Sequence, residues 1–203
     1  MHEAPTADAP ERRRGRPPAA EREGRRDDIL DAAVRLFVRD GFEPVTLDRI
    51  AAAAHVAKRT IYSRIGDRTE VFLAAVERLR GRALRLSPTA GLEELARAIV
   101  LTLHSDDAIG LHRLAIGESH RFPDLAVRFY DDGPLSYIAA LRSRLPDGEA
   151  DRAEALFALL LGEPHRQRLL GLRPAPDAPA AAAHARAALS ALGLPATEPE
   201  GGR

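Results

Sequence analysis

From about Arg25 to Leu192 the apolar residues recur at three- and four-residue spacing, and no stretch alternates apolar with polar as a half-buried strand would. That periodicity confines the chain to an all-α fold. In the first helix Ile29, Ala33, Leu36 and Phe37 stand at i, i+4, i+7 and i+8, and Gly41 supplies a stop. Thr46 is an N-cap for a second helix that buries Leu47, Ile50, Ala51 and Ala54. A short turn at His55 and Val56 leads to a third helix over about 58–64, with Ile61 facing inward. Asp67 and Glu70, at capping-box spacing, open a longer helix with Val71, Phe72, Ala75, Val76 and Leu79 on one face. The stretch 87–91 breaks it.

The rest is helical as well. Residues 92–103 place Leu92, Leu95, Ala96, Ile99, Val100 and Leu103 in amphipathic register. Helices are predicted over 106–121 and 123–130, with Pro123 in the first turn of the second. Gly133 and Pro134 restart a helix to about residue 145, and Pro146, Asp147 and Gly148 signal a turn. A long helix over 149–170 carries Ala153, Leu156, Phe157, Leu160 and Leu161, and Pro164 kinks or divides it. An alanine-rich helix over 178–192 closes the fold. By texture, 1–24 is a flexible basic arm, 25–70 a compact helical unit, 71–194 a larger helical domain and 195–203 a disordered tail.

Composition narrows the function classes. There is no cysteine, which excludes disulfides, cysteine zinc sites, iron–sulfur clusters and a cysteine nucleophile. The longest apolar run, 155–161, is far short of the ~20 residues a membrane span needs. The N-terminus has arginines but no apolar segment of the signal-peptide kind. The expectation is a soluble cytoplasmic protein that makes no membrane contact. Thirty basic and thirty acidic residues cancel, but unevenly: 10–26 carry seven arginines against three glutamates, and 46–68 carry five cations against two aspartates. Two basic patches near one end of a neutral chain point to a localised polyanion contact. Lys58 is the only lysine; arginine elsewhere and frequent alanine read as a GC-rich coding bias.

The chemistry concentrates in residues 46–64. Two short helices joined by a three- to four-residue turn make a helix-turn-helix, whose second helix can enter a major groove. That helix exposes Lys58, Arg59, Thr60, Tyr62, Ser63 and Arg64, while Val56, Ile61 and Ile65 pack inward. Arginine and lysine reach guanine edges or phosphate, threonine touches a thymine methyl, and a tyrosine hydroxyl bonds a phosphate oxygen. Thr46 adds a hydroxyl at a helix start, and Arg68 a further phosphate contact. The competing reading is a solvated basic face on an ordinary helical hairpin. In the arm, Arg14-Gly15-Arg16-Pro17 matches the core of an AT-hook, whose arginines enter a narrow minor groove; the alternative is a basic tail with salt-sensitive, nonspecific affinity.

The run Ile29-Leu30-Asp31-Ala32-Ala33, Leu36-Phe37, Asp40-Gly41-Phe42, Thr46-Leu47, Ile50-Ala51, Ala54, Val56, Lys58, Thr60-Ile61-Tyr62 and Glu70-Val71-Phe72 resembles the TetR family of bacterial regulators. Arg113-Leu114-Ala115-Ile116, Glu118, Arg121-Phe122-Pro123-Asp124-Leu125, Phe129-Tyr130 and Gly133-Pro134 resemble the C-terminal pattern of AcrR/AefR-type members. Three positions depart from the family pattern. His55 stands where glycine is usual in the turn, Ala57 where serine caps the recognition helix, and Ile65 where phenylalanine follows the tyrosine. Losing the serine cap costs roughly 0.5–2 kcal/mol locally and one phosphate contact at Ala57; His55 could contact DNA itself.

The resemblance implies a regulator, most simply a repressor, that binds a near-palindromic operator in double-stranded DNA as a homodimer and answers to a small molecule, with no cofactor. The alternatives are an activator, or a C-terminal domain that binds a protein partner. Residues expected to line the ligand chamber are His112, Ile116, Glu118, His120, Phe129 and Tyr137, although Glu118 and Arg121 at i, i+3 also suit a structural ion pair. The dimer face is expected at Leu156, Phe157, Leu160, Ala185 and Leu189 of the last two long helices, the alternative being intramolecular packing of the same faces. His104, His112 and His120 recur every eight residues, but successive members rotate roughly 80° around a helix, which argues against a metal site. His165 and His184 have no motif around them. No nucleophile elbow, P-loop, Gly-x-Gly-x-x-Gly or His-Glu-x-x-His occurs, so catalysis is not expected.

Overall fold

A computed structural model of the protein describes residues 19–85 and 90–195, and among them the helical periodicity becomes ten α-helices. The arm bearing Arg14 and Arg16, residues 86–89 inside the expected break at 87–91, and 196–203 of the tail lie outside the described residues. Helix α1 (Ala19–Asp40) begins before the expected start at Arg25. Ala19, Ala20, Glu21, Arg22 and Glu23 are all strong helix formers, so the 1–24 arm is shorter than its composition suggested. Then come α2 (Leu47–Ala53), α3 (Lys58–Arg64) and α4 (Arg68–Leu84).

The second half holds α5 (Leu92–Leu103), α6 (Asp106–Glu118), α7 (Pro123–Tyr130), α8 (Ser136–Arg142), α9 (Ala153–Leu169) and α10 (Ala178–Ala191). Helix α6 stops short of the expected residue 121 because Phe122, forced from the helical region by Pro123, sits at φ −129°, ψ 71°. Gly133 and Pro134 do not restart a helix. The chain runs from α7 into α8 through a π-helical turn, Asp131–Leu135, which accommodates a proline that has no N–H to give. Pro164 does divide α9: the backbone leaves the helix at Gly162 (φ 53°, ψ −162°) and resumes beyond it.

Two apolar cores follow. The first joins α1–α4 to the inner faces of α6 and α7, and its centre is phenylalanine. Phe42 stacks on Phe37 at 5.6 Å, and Phe72 meets both edge-on at 5.8 and 5.9 Å. The second packs the end of α4 with α5, α8, α9 and α10. Helix α4 belongs to both, and its residues Val71, Phe72, Leu73, Ala74, Ala75 and Val76 are buried in succession. The sequence-derived division at 70/71 therefore runs through one helix.

Leu156, Phe157, Leu160, Ala185 and Leu189, expected on the dimer face, are all buried in this second core, four of them completely. Their periodicity marks the inner faces of α9 and α10, because an apolar stripe does not say which neighbour covers it. The outer faces of the same helices carry Ala155, Ala158, Leu159, Ala183 and Ala187.

Helices α1 and α6 meet closely. A Cβ built on Gly110 would lie 2.4 Å from a Val38 methyl, nearer than real atoms approach. Replacing Gly110 by alanine is expected to lower stability by about 1–3 kcal/mol through overpacking. Denaturant unfolding measures it, and the double variant Gly110→Ala, Val38→Ala should regain most of the loss.

Candidate nucleic-acid interface and apolar cavity

Helices α2 and α3 are held at their turn by a tight C-terminal cap. The N–H of Val56 donates to Ala51 O (3.0 Å) and that of His55 to Ala52 O (3.3 Å), the two bonds of a Schellman motif. His55 occupies the left-handed position at φ 53°, alone among non-glycine residues described. Thr46 caps α2 by accepting from the Arg49 N–H at 3.3 Å, whereas Ala57 begins α3 with no side-chain cap. Ile61 is fully buried, with Val56 and Ile65 partly buried against the same core. That anchoring turns Lys58, Arg59, Tyr62 and Ser63 to the surface, with Tyr62 56% exposed.

Two expected DNA contacts, Arg64 and Arg68, are placed differently, and Lys58, though on the surface, is engaged within the protein. Lys58 Nζ lies 2.9 Å from Asp48 of α2, and this bond raises the ammonium pKa; sequence reading did not single out Asp48 as its partner. Arg68 turns inward, donating to Glu43 O at 2.8 Å with its guanidinium 4.4 Å above the Phe42 ring. It straps the loop before α2 instead of offering a free phosphate contact, because a planar fork suits a carbonyl and a ring face together. Arg64 is half-buried and lines a polar cleft with Arg26, Glu70, Glu77 and Arg128.

The expected capping box at α4 is half made. Asp67 accepts from the Glu70 N–H at 2.9 Å, but the Glu70 carboxylate reaches across to Arg128 of α7 (2.8 and 3.3 Å). Arg121 likewise does not pair with Glu118. Its guanidinium grips the Glu43 carboxylate with both terminal nitrogens, and Phe122 packs on Phe42 at 5.2 Å. The corner between α6 and α7 thus holds the loop that leads into α2.

Behind α4 lies an apolar cavity of about 60 Å³, within an empty space of about 530 Å³ that includes its mouth toward solvent. His112, Phe129 and Tyr137 line it as expected, together with Val76 and Leu79 of α4 and with Phe157. Ile116, Glu118 and His120 do not line it: Ile116 is 55% exposed and His120 is on the surface. Ile116 lies one turn beyond His112 on nearly the same face of α6, whereas a rotation of roughly 100° per residue turns Glu118 away from the chamber and His120 lies past the end of the helix.

His165, which had no motif in the sequence, also lines the cavity. Four imidazoles form a row: His184 to His104 (5.5 Å), His104 to His165 (5.3 Å) and His165 to His112 (5.2 Å), and Phe129 meets His112 at 5.6 Å. Two members are structural. His104 Nε2–H donates to Leu160 O (3.0 Å) and His184 Nε2–H to Leu159 O (2.9 Å). The break at Gly162 and the missing N–H of Pro164 deny those carbonyls their helical donors, so the imidazoles supply them. Among the described residues, no group of three His, Asp or Glu side chains is arranged to hold a metal ion.

Comparison with known proteins agrees with this layout. Residues 29–75 match the model of bacterial regulatory proteins of the tetR family, and residues 90–192 that of the AefR-like transcriptional repressor C-terminal domain. The chain belongs to the TetR family. Its members are DNA-binding transcription factors rather than enzymes, and the all-helical architecture is theirs. The transcriptional regulator SrpR of Pseudomonas putida is 35% identical over 86 residues, 42% of this chain. The match spans only 40% of that relative's length. A TetR-family regulator from Mesorhizobium loti superimposes with a TM-score of 0.63 over 84% of this chain and 95% of its own, at 22% identity. The flavonoid-responsive regulator FrrA gives 0.61 over 83% and 94%, at 26% identity. No described helix of this TetR-family chain is long and apolar enough to cross a membrane.

Two outcomes follow. His55→Gly relieves a left-handed backbone, and thermal unfolding should show a gain of about 0.5–1 kcal/mol. Burial lowers the pKa of His104 and of His165 from 6.5 to about 4, so both are neutral when folded. The unfolded chain binds their protons first, so stability falls as pH drops from 6.5 to about 4. Asp40, held near 2 chiefly by its bond to Arg39, titrates below that window. Melting temperature measured against pH should decline there, and His165→Leu should flatten the slope.

Proposed function

We propose that this regulator is a ligand-responsive repressor that binds a near-palindromic operator as a homodimer. The observation that carries the reading is the position of α4. Its first turns lie in the core that fixes α3, and Val76 and Leu79 further along it line the apolar cavity. A molecule entering the cavity pushes on the helix that sets the DNA-reading face, which couples two sites through one element.

Thr46, His55, Lys58, Arg59, Thr60 and Tyr62 are the side chains assigned to DNA, with Arg14 and Arg16 of the arm reaching an A·T-rich minor groove beyond them. A single recognition helix reads few bases, and two set about 34–36 Å apart read a palindrome. The exposed outer faces of α9 and α10, with Ala155, Ala158, Leu159, Ala183 and Ala187, are suited to an isologous contact between two copies. Repression is supported by the AefR-like match and effector response by FrrA, whose name describes it as flavonoid-responsive. Residence in the cytoplasm follows from this role.

Selection from a random DNA pool with the purified protein should enrich a near-palindrome. On that site Tyr62→Phe and Arg59→Ala should each weaken binding by about 1–3 kcal/mol while the dimer survives in analytical ultracentrifugation. Recovery of no motif, or loss of the dimer in these variants, would overturn the assignment.

A further inference from the structure

The cavity walls are apolar except at three places. Val76, Leu79, Leu103, Leu111, Phe129 and Phe157 are typical of its lining, and no lysine, arginine, aspartate or glutamate contributes to it. The exceptions are His112, Tyr137 and His165. Tyr137 is 2% exposed and His165 5%, and neither its hydroxyl nor either imidazole of the pair has a hydrogen-bond partner among the described residues. Leaving a buried polar group unpaired costs about 1–3 kcal/mol, so Tyr137 and His165, with the half-buried His112 beside them at one apolar cavity, need an explanation. His104 and His184 have theirs in the carbonyls of α9. His112, Tyr137 and His165 have none within the fold.

We infer that the cavity, about 60 Å³ at its core and widened toward its open mouth when filled, recognises an uncharged, flat aromatic molecule bearing a hydroxyl group, which hydrogen-bonds to the His112–His165 pair and to Tyr137. The inference rests on reading this cavity as the effector site. A hydroxyl both donates and accepts, as a neutral imidazole does, whereas the Tyr137 phenol stays protonated because burial raises its pKa. The ring preference comes from the walls. Tyr137 and Phe157 are stacked at 6.1 Å with 12° between their planes, and Phe129 lies against the His112 ring, so the chamber offers aromatic faces and edges.

The absence of charge in the ligand follows from the cations nearby. Arg80, whose charge bears on Tyr137, donates to Asp132 O (2.8 Å) and Ser136 Oγ (3.0 Å). Arg168, beside His165, is held by Asp106 (2.6 Å), His104 O and Arg173 O. Neither is aimed into the chamber, and a carboxylate entering it would lose its hydration without gaining a counter-charge.

The test uses 4-ethylphenol, ethylbenzene and 4-ethylbenzoate as probes, titrated at pH 7.5 into the full chain and followed by protein NMR. The expected order is 4-ethylphenol about tenfold tighter than ethylbenzene, with 4-ethylbenzoate weakest. Tyr137→Phe and His165→Leu should each shrink the preference for the phenol while leaving ethylbenzene affinity unchanged. The inference is overturned if 4-ethylbenzoate binds tightest, if phenol and hydrocarbon bind equally, if no probe binds, or if neither variant alters their ratio. Operator binding, measured alongside, separates the two readings. A phenol preference with unchanged operator affinity would sink the effector reading alone. Operator release by the benzoate with no phenol preference would sink only the ligand class.

Discussion

One helix is buried all the way round over six consecutive residues, and the rest of the molecule is arranged about that fact. Six consecutive residues of α4, Val71 to Val76, leave no face for solvent, so the helix must be covered from every side. Helix α1 covers one side, and α5, α6, α7, α8 and the π-helical turn before α8 cover the others. The Phe72 ring sits at the seam: it closes the phenylalanine cluster with Phe37 and Phe42 and touches Phe129, at 6.3 Å, from the cavity wall. Interiors packed to this density do not deform smoothly. A displacement of Phe129 has to be answered by Phe72, and through it by the core under α3.

The division of α9 shows a comparable economy. A proline and a left-handed glycine interrupt the helix, and two carbonyls lose their donors. Imidazoles from α5 and α10 replace them, while Arg113 donates to Leu169 O and Arg168 O at the helix's far end. Side chains from three neighbours therefore hold α9 in its broken shape. The same bonds fix His104 between His184 and His165, so the row of rings is a by-product of repairing the backbone.

Local rules made the fold legible where they act within one turn of chain. The bounds of α3 and α7 and the Thr46 and Asp67 caps were readable because each depends on a few adjacent residues, while the uncapped Ala57 and the left-handed His55 stood out only as departures from the family pattern. What was not readable depends on partners distant in sequence. An apolar stripe on α9 looks the same whether α5 or a second molecule covers it, and only the fold shows that Leu156 and Leu160 are buried within one chain. Arg121 has an acid at helical spacing in Glu118, yet Glu43, 78 residues away, takes its guanidinium. His165 carries no local signature, and only the fold of α9 against α6 sets it beside His112.

The lone lysine has a consequence of another kind. Lys58 stands on the exposed face of α3, 49% exposed, and every other basic side chain but histidine in the chain is arginine. Guanidinium groups ignore the mild acylating and reductive-alkylating reagents that attack amines, so such a reagent would find a single side-chain target, at the centre of the basic face. A dye attached there would quench or brighten as that face is covered. The composition that made the chain arginine-rich has left it with a built-in address for site-specific labelling.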